Sequence, residues 1–383
     1  MMSWFREIAW VVVAGAFALP SPAIADASLD TAARAIASGI DGLPECKSGS
    51  LAMAYEGKAG SGTAFSGTLA HSCGTAAKPD MGTIFEIGSI TKTFTALLFA
   101  NAIAQKLVKL DDPAAMYLPA GTVLPSYQQG GTRMPIRLID LATHTSGLPR
   151  DLPDTHYPYS TAQMYVALAK VQLNSAPGTT WTYSNLGFAL LAEAMQGVFK
   201  EPYSRLIAEQ VTAPLGMTHT LLFGDSSDGA QIPVGYSPRG KIAQANNDTW
   251  PAFNGAGALR STLSDMTRYL DFMMSGEGPG MDGAHALLTD FHSFPQADGK
   301  PAIQQGLAWQ LVRPFGNSTG VNWKDGDVPG FTSYIAYAPS IGEGVVVLTN
   351  RMGCKAARAG LCVLEAAGRE VGLDASKGPD CAF

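Results

Sequence analysis

The sequence is short of the features that would mark several large classes of protein. It has no basic run, and 26 Lys and Arg are outnumbered by 32 Asp and Glu, for a net charge of −6. Nucleic-acid binders show basic patches, so no nucleic-acid partner is expected. No C-x-x-C and no H-E-x-x-H occurs, and the six histidines are scattered. No metal centre is expected, and no cofactor. Beyond the N-terminus no uninterrupted apolar run reaches the roughly 20 residues that span a bilayer, which excludes stable membrane insertion of the mature chain. Cysteine is sparse: Cys46, Cys73, Cys354, Cys362 and Cys381. An odd count leaves at least one thiol unpaired or paired between chains.

What is present is apolar bulk. Of 383 residues, 46% are hydrophobic, enough for a large core or for two packed regions in one unit. Residues 1–25 read as a signal peptide. Arg6 is an early positive charge, Ile8 to Leu19 is an apolar run too short to cross a membrane, and Ala23-Ile24-Ala25 is an A-x-A site with cleavage before Asp26. Export permits disulfides. Leu51 to Tyr55 and Thr63 to Leu69 read as two strands joined by a Gly-rich turn. Cys46 precedes the first and Cys73 follows the second, so an antiparallel hairpin would bring them together as a bridge. The pairing of Cys354, Cys362 and Cys381 stays open.

The chain is organised around Phe85-Glu86-Ile87-Gly88-Ser89-Ile90-Thr91-Lys92. Every other lysine lacks a serine three residues before it. If Ser89 opens a helix, the two side chains share a face one turn apart. The following Thr93 to Ala104 is apolar almost all round, as in a helix buried in a core. A serine at a helix N-terminus sits in a positive potential beside unpaired N–H groups. A buried lysine can lose its proton near neutral pH and take the serine's, making a nucleophile.

Further along, His144-Thr145-Ser146-Gly147-Leu148-Pro149 reads as a helix end and loop held by hydrogen bonds rather than as a catalytic group. Tyr183 and Asn185 fall on a loop just before an apolar, Ala-rich helix from Leu186 to Phe199. A phenol there can relay a proton if a lysine lowers its pKa, and the Asn185 amide can bind a substrate carbonyl or orient that lysine. Thr262 and Asp265 form a capping-box-like helix start. Gly306 to Val312, Phe331 to Ala338 and Gly344 to Thr349 are strand-like, and Cys354 to Val371 is a closing helix. The fold class is α/β (α+β): an antiparallel sheet region built from residues 26–106 and 305–383, flanked by N- and C-terminal helices, with a mainly α-helical region over residues 107–304.

Ser89-x-x-Lys92, Tyr183-x-Asn185 and Lys324-Asp325-Gly326 occur in that order. Together they resemble the serine penicillin-recognising hydrolases of the class C β-lactamase type, a β-lactamase/transpeptidase-like fold. His144 to Pro149, Pro177-Gly178 and Pro214-Leu215-Gly216-Met217 are similar to that superfamily as well. A Ser-x-Asn second motif, as in class A enzymes, is absent. Val108 to Pro113 and Leu141 to Arg150 look most like the periplasmic D-alanyl-D-alanine carboxypeptidase/endopeptidase branch, which acts on peptidoglycan peptides and binds penicillins.

The resemblance implies Ser89 as the acylated nucleophile, Lys92 and Tyr183 sharing proton transfer, and an oxyanion hole from the backbone N–H groups of Ser89 and Asp327. Asn185, Lys324, Asp325 and Gly326 would bind substrate, namely peptidoglycan stem peptides or β-lactams. One departure stands out. The third motif is usually Lys-Thr-Gly, and here the middle position is Asp325, with Asp327 two residues on. In a strand these carboxylates share a face and would repel a substrate carboxylate unless Asp325 is turned away or paired. That points to weak β-lactamase activity. It keeps an esterase of the same fold as an alternative, and a non-catalytic penicillin-binding sensor as another. Gly316-Asn317-Ser318-Thr319-Gly320 matches the nucleophile-elbow string of α/β-hydrolases, but it leads towards a strand instead of a helix and reads as a turn.

Overall fold

The computed structural model describes residues 25–41, 49–69, 77–152, 160–223, 233–243, 251–281, 283–316, 319–373 and 381. Residues 1–24 of the expected signal segment and the expected Cys46–Cys73 bridge lie outside the described residues. Helix α1 (Ala25–Asp41) leads to the hairpin β1 (Ser50–Gly57) and β2 (Gly60–Gly67), then to the short strand β3 (Ile84–Glu86) and helix α2 (Thr91–Ala104). A small hairpin, β4 (Tyr127–Gln129) and β5 (Thr132–Met134), precedes the helices α3 (Leu138–Ala142), α4 (Thr161–Leu168), α5 (Asn185–Phe199) and α6 (Tyr203–Ile207). Next come β6 (Leu221–Leu222), α7 (Asn254–Gly257), β7 (Leu259–Thr262), α8 (Leu263–Ser275) and α9 (Ala284–Leu288). The chain closes with β8 (His292–Phe294), β9 (Ile303–Gln305), β10 (Gln310–Val312), β11 (Val321–Val328), β12 (Phe331–Ala338), β13 (Glu343–Thr349) and α10 (Ala356–Glu370).

Eight strands form one antiparallel sheet in the order β2-β1-β13-β12-β11-β10-β9-β8. Both faces are covered, so its central strands are apolar on both sides. Along β13, Val345 and Val347 join Tyr55, Tyr334 and Val363 in a core under α1 and α10. Val346 and Leu348 point the other way, into the larger core with Leu270 and Met273 of α8. This is the two-residue alternation of a strand packed on both faces. Helix α2 is the axis of the larger core, with every residue from Thr91 to Ala102 buried.

The sheet reaches further back than the expected boundary at residue 305. Strands β8 and β9 belong to it, although both start inside residues 107–304, the region expected to be mainly helical. Both are three-residue, largely polar strands at one end of the sheet, so no apolar alternation marks them. Conversely α2, expected with the sheet region, packs among α5, α7 and α9, while α8 lies against β1, β12 and β13. The Gly316–Gly320 string connects β10 to β11, which pair antiparallel, so no helix follows it. Asn317 and Ser318 lie outside the described residues. The open cysteine pairing resolves as Cys362–Cys381, a bridge from α10 to Cys381.

Candidate active site

Strand β3 runs into a 3-10 turn, Gly88–Ile90, and this turn feeds α2. Ser89 therefore sits two residues ahead of the α-helix, inside the turn. The tighter winding keeps Ser89 and Lys92 on one side. Lys92 is fully buried, and its ammonium donates to Ser89 Oγ at 3.1 Å, Asn185 Oδ1 at 2.8 Å and the Ala256 carbonyl at 2.6 Å. Three donors thus meet three neutral acceptors. Burial pushes its pKa below the ordinary lysine value, reinforced by Lys324 and Arg150 and opposed by Tyr183.

Tyr183 and Asn185 flank Ser184, the N-cap of α5. Ser184 Oγ accepts from the Gly187 amide at 2.9 Å and donates to the Pro149 carbonyl at 2.7 Å. Asn185 is the first residue of the helix and not a loop residue. Its Oδ1 faces Lys92, and its Nδ2 donates to Asp151 at 2.8 Å. The Tyr183 hydroxyl donates to Ser89 Oγ at 2.6 Å. Burial alone would raise the phenol's pKa. The charges of Lys92 and Lys324, with hydrogen bonding to Lys92 and Ser89, bring it below its ordinary value instead. Lys92, Arg150 and Lys324 lie 4.9, 5.1 and 5.4 Å from the Tyr183 ring centroid.

Strand β11 closes the other side. A Cβ on Gly326 would lie 2.1 Å from the Ile87 carbonyl and 2.9 Å from the Ser89 amide nitrogen, and one on Gly88 would lie 3.0 Å from the Asp327 amide nitrogen. Only glycine at both positions lets strand and turn meet so closely. The Ser89 and Asp327 amides are thereby brought to one seam. Ser333 of β12 clamps it, donating to the Ile87 carbonyl at 2.8 Å. Strand β10 pairs with β11 only as far as Trp323, so Lys324 onward has no strand partner on that side among the described residues.

Lys324 is buried, and its ammonium contacts the Asp325 carbonyl and Asp325 Oδ1, both at 2.9 Å. Burial would lower its pKa, but Tyr183 and Asp325 raise it above the ordinary value, and Lys324 in turn outweighs burial and lowers that of Asp325. The Asp325 carboxylate is thus paired, with its side chain 46% exposed. Asp327 Oδ1 accepts from Thr332 at 2.6 Å. The expected repulsion of a substrate carboxylate is accordingly reduced, and Lys324 is partly occupied. A cleft of about 450 Å³ opens over these groups, lined among others by Ser89, Arg150, Trp181, Tyr183 and Trp323.

All the sequence-derived site residues meet here. Sequence reasoning missed Arg150 and Asp151, which only follow a loop motif, and Ser333, one hydroxyl in an apolar strand. The Ala256 carbonyl has no side-chain signal at all. His144 is buried behind Tyr183, its ring centroid 4.5 Å away. Among the described residues no cluster of His, Cys, Asp and Glu could hold a metal ion.

Fold and site together are those of a serine hydrolase. The β-lactamase family model matches residues 57–366, and the chain belongs to that family. It is 33% identical over 288 residues to the D-alanyl-D-alanine-carboxypeptidase/endopeptidase AmpH of Escherichia coli K12, covering 72% of each chain. It is 31% identical over 300 residues to a β-lactamase of Pseudomonas fluorescens, covering 70% of this chain and 80% of the other. The fold matches the crystal structure of a β-lactamase/D-alanine carboxypeptidase from Yersinia pestis complexed with citrate. There the TM-score is 0.74, with 24% identity, over 90% of this chain and 99% of that one.

Proposed function

We propose that the protein is an exported D-alanyl-D-alanine carboxypeptidase/endopeptidase that works through a Ser89 acyl-enzyme and turns β-lactams over slowly. One observation carries the reading: Ser89 Oγ lies within hydrogen-bond reach of both Lys92 Nζ and Tyr183 Oη, and both groups have pKa values below their ordinary ones. Loss of one proton from the Lys92–Tyr183 pair turns either partner into an acceptor for the Ser89 hydroxyl proton. The alkoxide then attacks the substrate carbonyl, whose oxygen would be stabilised by the Ser89 and Asp327 amides. The proton taken from Ser89 goes to the departing amine, and water repeats the sequence to release the acid. The relative named for D-alanyl-D-alanine cleavage supports the peptide substrate. The apolar N-terminal run and A-x-A site support export to the periplasm. Among the described residues, no helix is long and apolar enough to cross a membrane.

The decisive experiment incubates the mature protein with purified muropeptides and identifies products by mass. Loss of a terminal alanine, abolished in Ser89→Ala, is the expected result, and absence of any peptide product refutes the peptidase reading. A second reading, an esterase, is favoured by one specific contact. Lys324, the cation beside Tyr183, already holds the Asp325 carboxylate, which leaves less attraction for a charged substrate. Faster turnover of neutral esters than of any peptide would select it.

A further inference from the structure

His144 takes no part in the proton transfers proposed above, yet it is 1% exposed and adopts a left-handed backbone, φ 59°. Few residues other than glycine tolerate that conformation without cost, although histidine is among the more tolerant ones. The contacts it makes explain why the conformation is kept. Its carbonyl accepts from the Thr182 amide at 2.8 Å. Its Nδ1 accepts from the Ser184 amide at 3.1 Å. Its ring packs on the Tyr183 ring with centroids 4.5 Å apart. The residues on both sides of Tyr183 are therefore tied to one histidine, and the phenol rests on its imidazole. Phe188 and Trp181 enclose the same ring at 4.9 and 5.8 Å.

We propose that His144 is the positioning residue of this site: it holds the Tyr183 hydroxyl over Ser89 from behind, without touching substrate. The proposal rests on the reading of Ser89 as nucleophile and Tyr183 as its proton partner. The grip requires a neutral imidazole. Nδ1 must keep its lone pair for the Ser184 amide, which places the proton on Nε2, an atom with no hydrogen-bond partner among the described residues. Burial holds the ring neutral, and the charges facing it, Lys92, Lys324 and Arg150, act in the same direction. A protonated ring would lose the Ser184 contact and add a further cation beside Tyr183.

The test measures the second-order rate of covalent labelling by a fluorescent penicillin, as a function of pH, in three variants. His144→Gly keeps the backbone conformation and removes ring and acceptor. His144→Asn keeps the conformation and offers an acceptor again. Ser89→Ala is the control for the underlying reading. The expected result is a labelling rate about 10²-fold lower in His144→Gly, the scale for a misplacement of about 1 Å. The acid-side limb of the pH profile should move to higher pH as the phenol leaves the lysines, and His144→Asn should recover part of both. A folded His144→Gly with wild-type rate and limb overturns the proposal. If that variant does not fold, a wild-type rate and limb in His144→Asn overturns it instead. Labelling that persists in Ser89→Ala refutes the underlying reading, whereas abolished labelling there with unaltered His144 variants refutes only this inference.

Discussion

Two buried lysines flank Tyr183, one at the start of α2 and one on β11, and their pKa values move in opposite directions. Lys92 is lowered and Lys324 is raised. Burial is nearly equal, 0% and 4% exposed, and their distances to the Tyr183 ring differ by little. The difference lies in the partners. Lys92 meets a hydroxyl, an amide oxygen and a carbonyl. Lys324 meets a carboxylate. Desolvation penalises an ammonium wherever it is buried, and only a counter-charge offsets that penalty. One lysine is thereby poised to give up a proton, and the other is held as a permanent cation that lowers the pKa of the phenol between them.

The largest effect should come from removing the reactive half. Ser89→Ala is expected to abolish hydrolysis and penicillin labelling together. Lys92→Ala should lower kcat/KM by about 10²–10⁴-fold, the range for general acid–base groups. In the wild type, kcat/KM should rise with pH as the Lys92–Tyr183 pair loses its proton, with a limb below the ordinary tyrosine value. Labelling of Ser89→Ala at another residue, found by peptide mapping, would show that the α2 lysine serves no nucleophile there.

The next test acts on the other lysine. Asp325→Thr removes the counter-charge of Lys324, freeing its ammonium for a substrate carboxylate and supplying a hydroxyl donor. The expected gain in kcat/KM for penicillins is about tenfold, equal to about 1.4 kcal/mol. A neutral p-nitrophenyl ester should change much less, since it has no carboxylate to recruit. Equal effects on both substrates would show that Asp325 does not face the substrate.

A smaller loss is expected from Asp151→Ala. Asp151 accepts from Asn185 Nδ2 and so fixes which end of the amide faces Lys92. Without it the amide can turn its donor towards the ammonium. One orienting hydrogen bond corresponds to a loss of up to about tenfold in kcat/KM. Stopped-flow acylation would read it, and an unchanged rate would show that Asn185 is oriented by other contacts.

The contrast between the lysines was only partly legible in the sequence. Ser89-x-x-Lys92 announced itself through spacing and the apolar helix that follows it. Lys324-Asp325-Gly326 stood out only by its order after the other two motifs, as in the family it resembles. Adjacency of Lys324 and Asp325 left their pairing open, because neighbouring strand residues point to opposite faces. The ion pair forms only because the Lys324 side chain turns back to its neighbour at a strand edge that β10 leaves uncovered. Asp151 and the Ala256 carbonyl were invisible for a different reason. They reach the site through tertiary contacts across more than 30 and 160 residues of chain, and a backbone oxygen has no residue type. In the fold, β12 and β13 were plain from apolar and β-branched runs, while β8 and β9 lacked any such signal.

A third buried charge extends the rule about partners to stability. Glu343, at the start of β13, is 1% exposed. Its Oε1 accepts from the Ala59 amide at 2.7 Å, and Oε2 has no hydrogen-bond partner among the described residues. Burial pushes its pKa up to about 7, against backbone hydrogen bonds from Ala59 and Lys58 and the Lys58 charge, all of which pull it down. The folded value thus lies above the ordinary glutamate value of 4.5, so the folded state holds a proton that the unfolded state has released. Stability from this group is complete below about 4.5, falls as pH rises through the window, and is lost above about 7. Glu343→Gln keeps the acceptor for Ala59 and cannot ionise. It should raise Tm above pH 7, by roughly 1–2 °C for each kcal/mol gained in a chain of this length, because the unfolding entropy grows with residue number. The gain should shrink to nothing below pH 4.5. A gain that is the same at both ends of the range would mean that the unpaired oxygen costs stability through lost hydrogen bonding, with no contribution from charge.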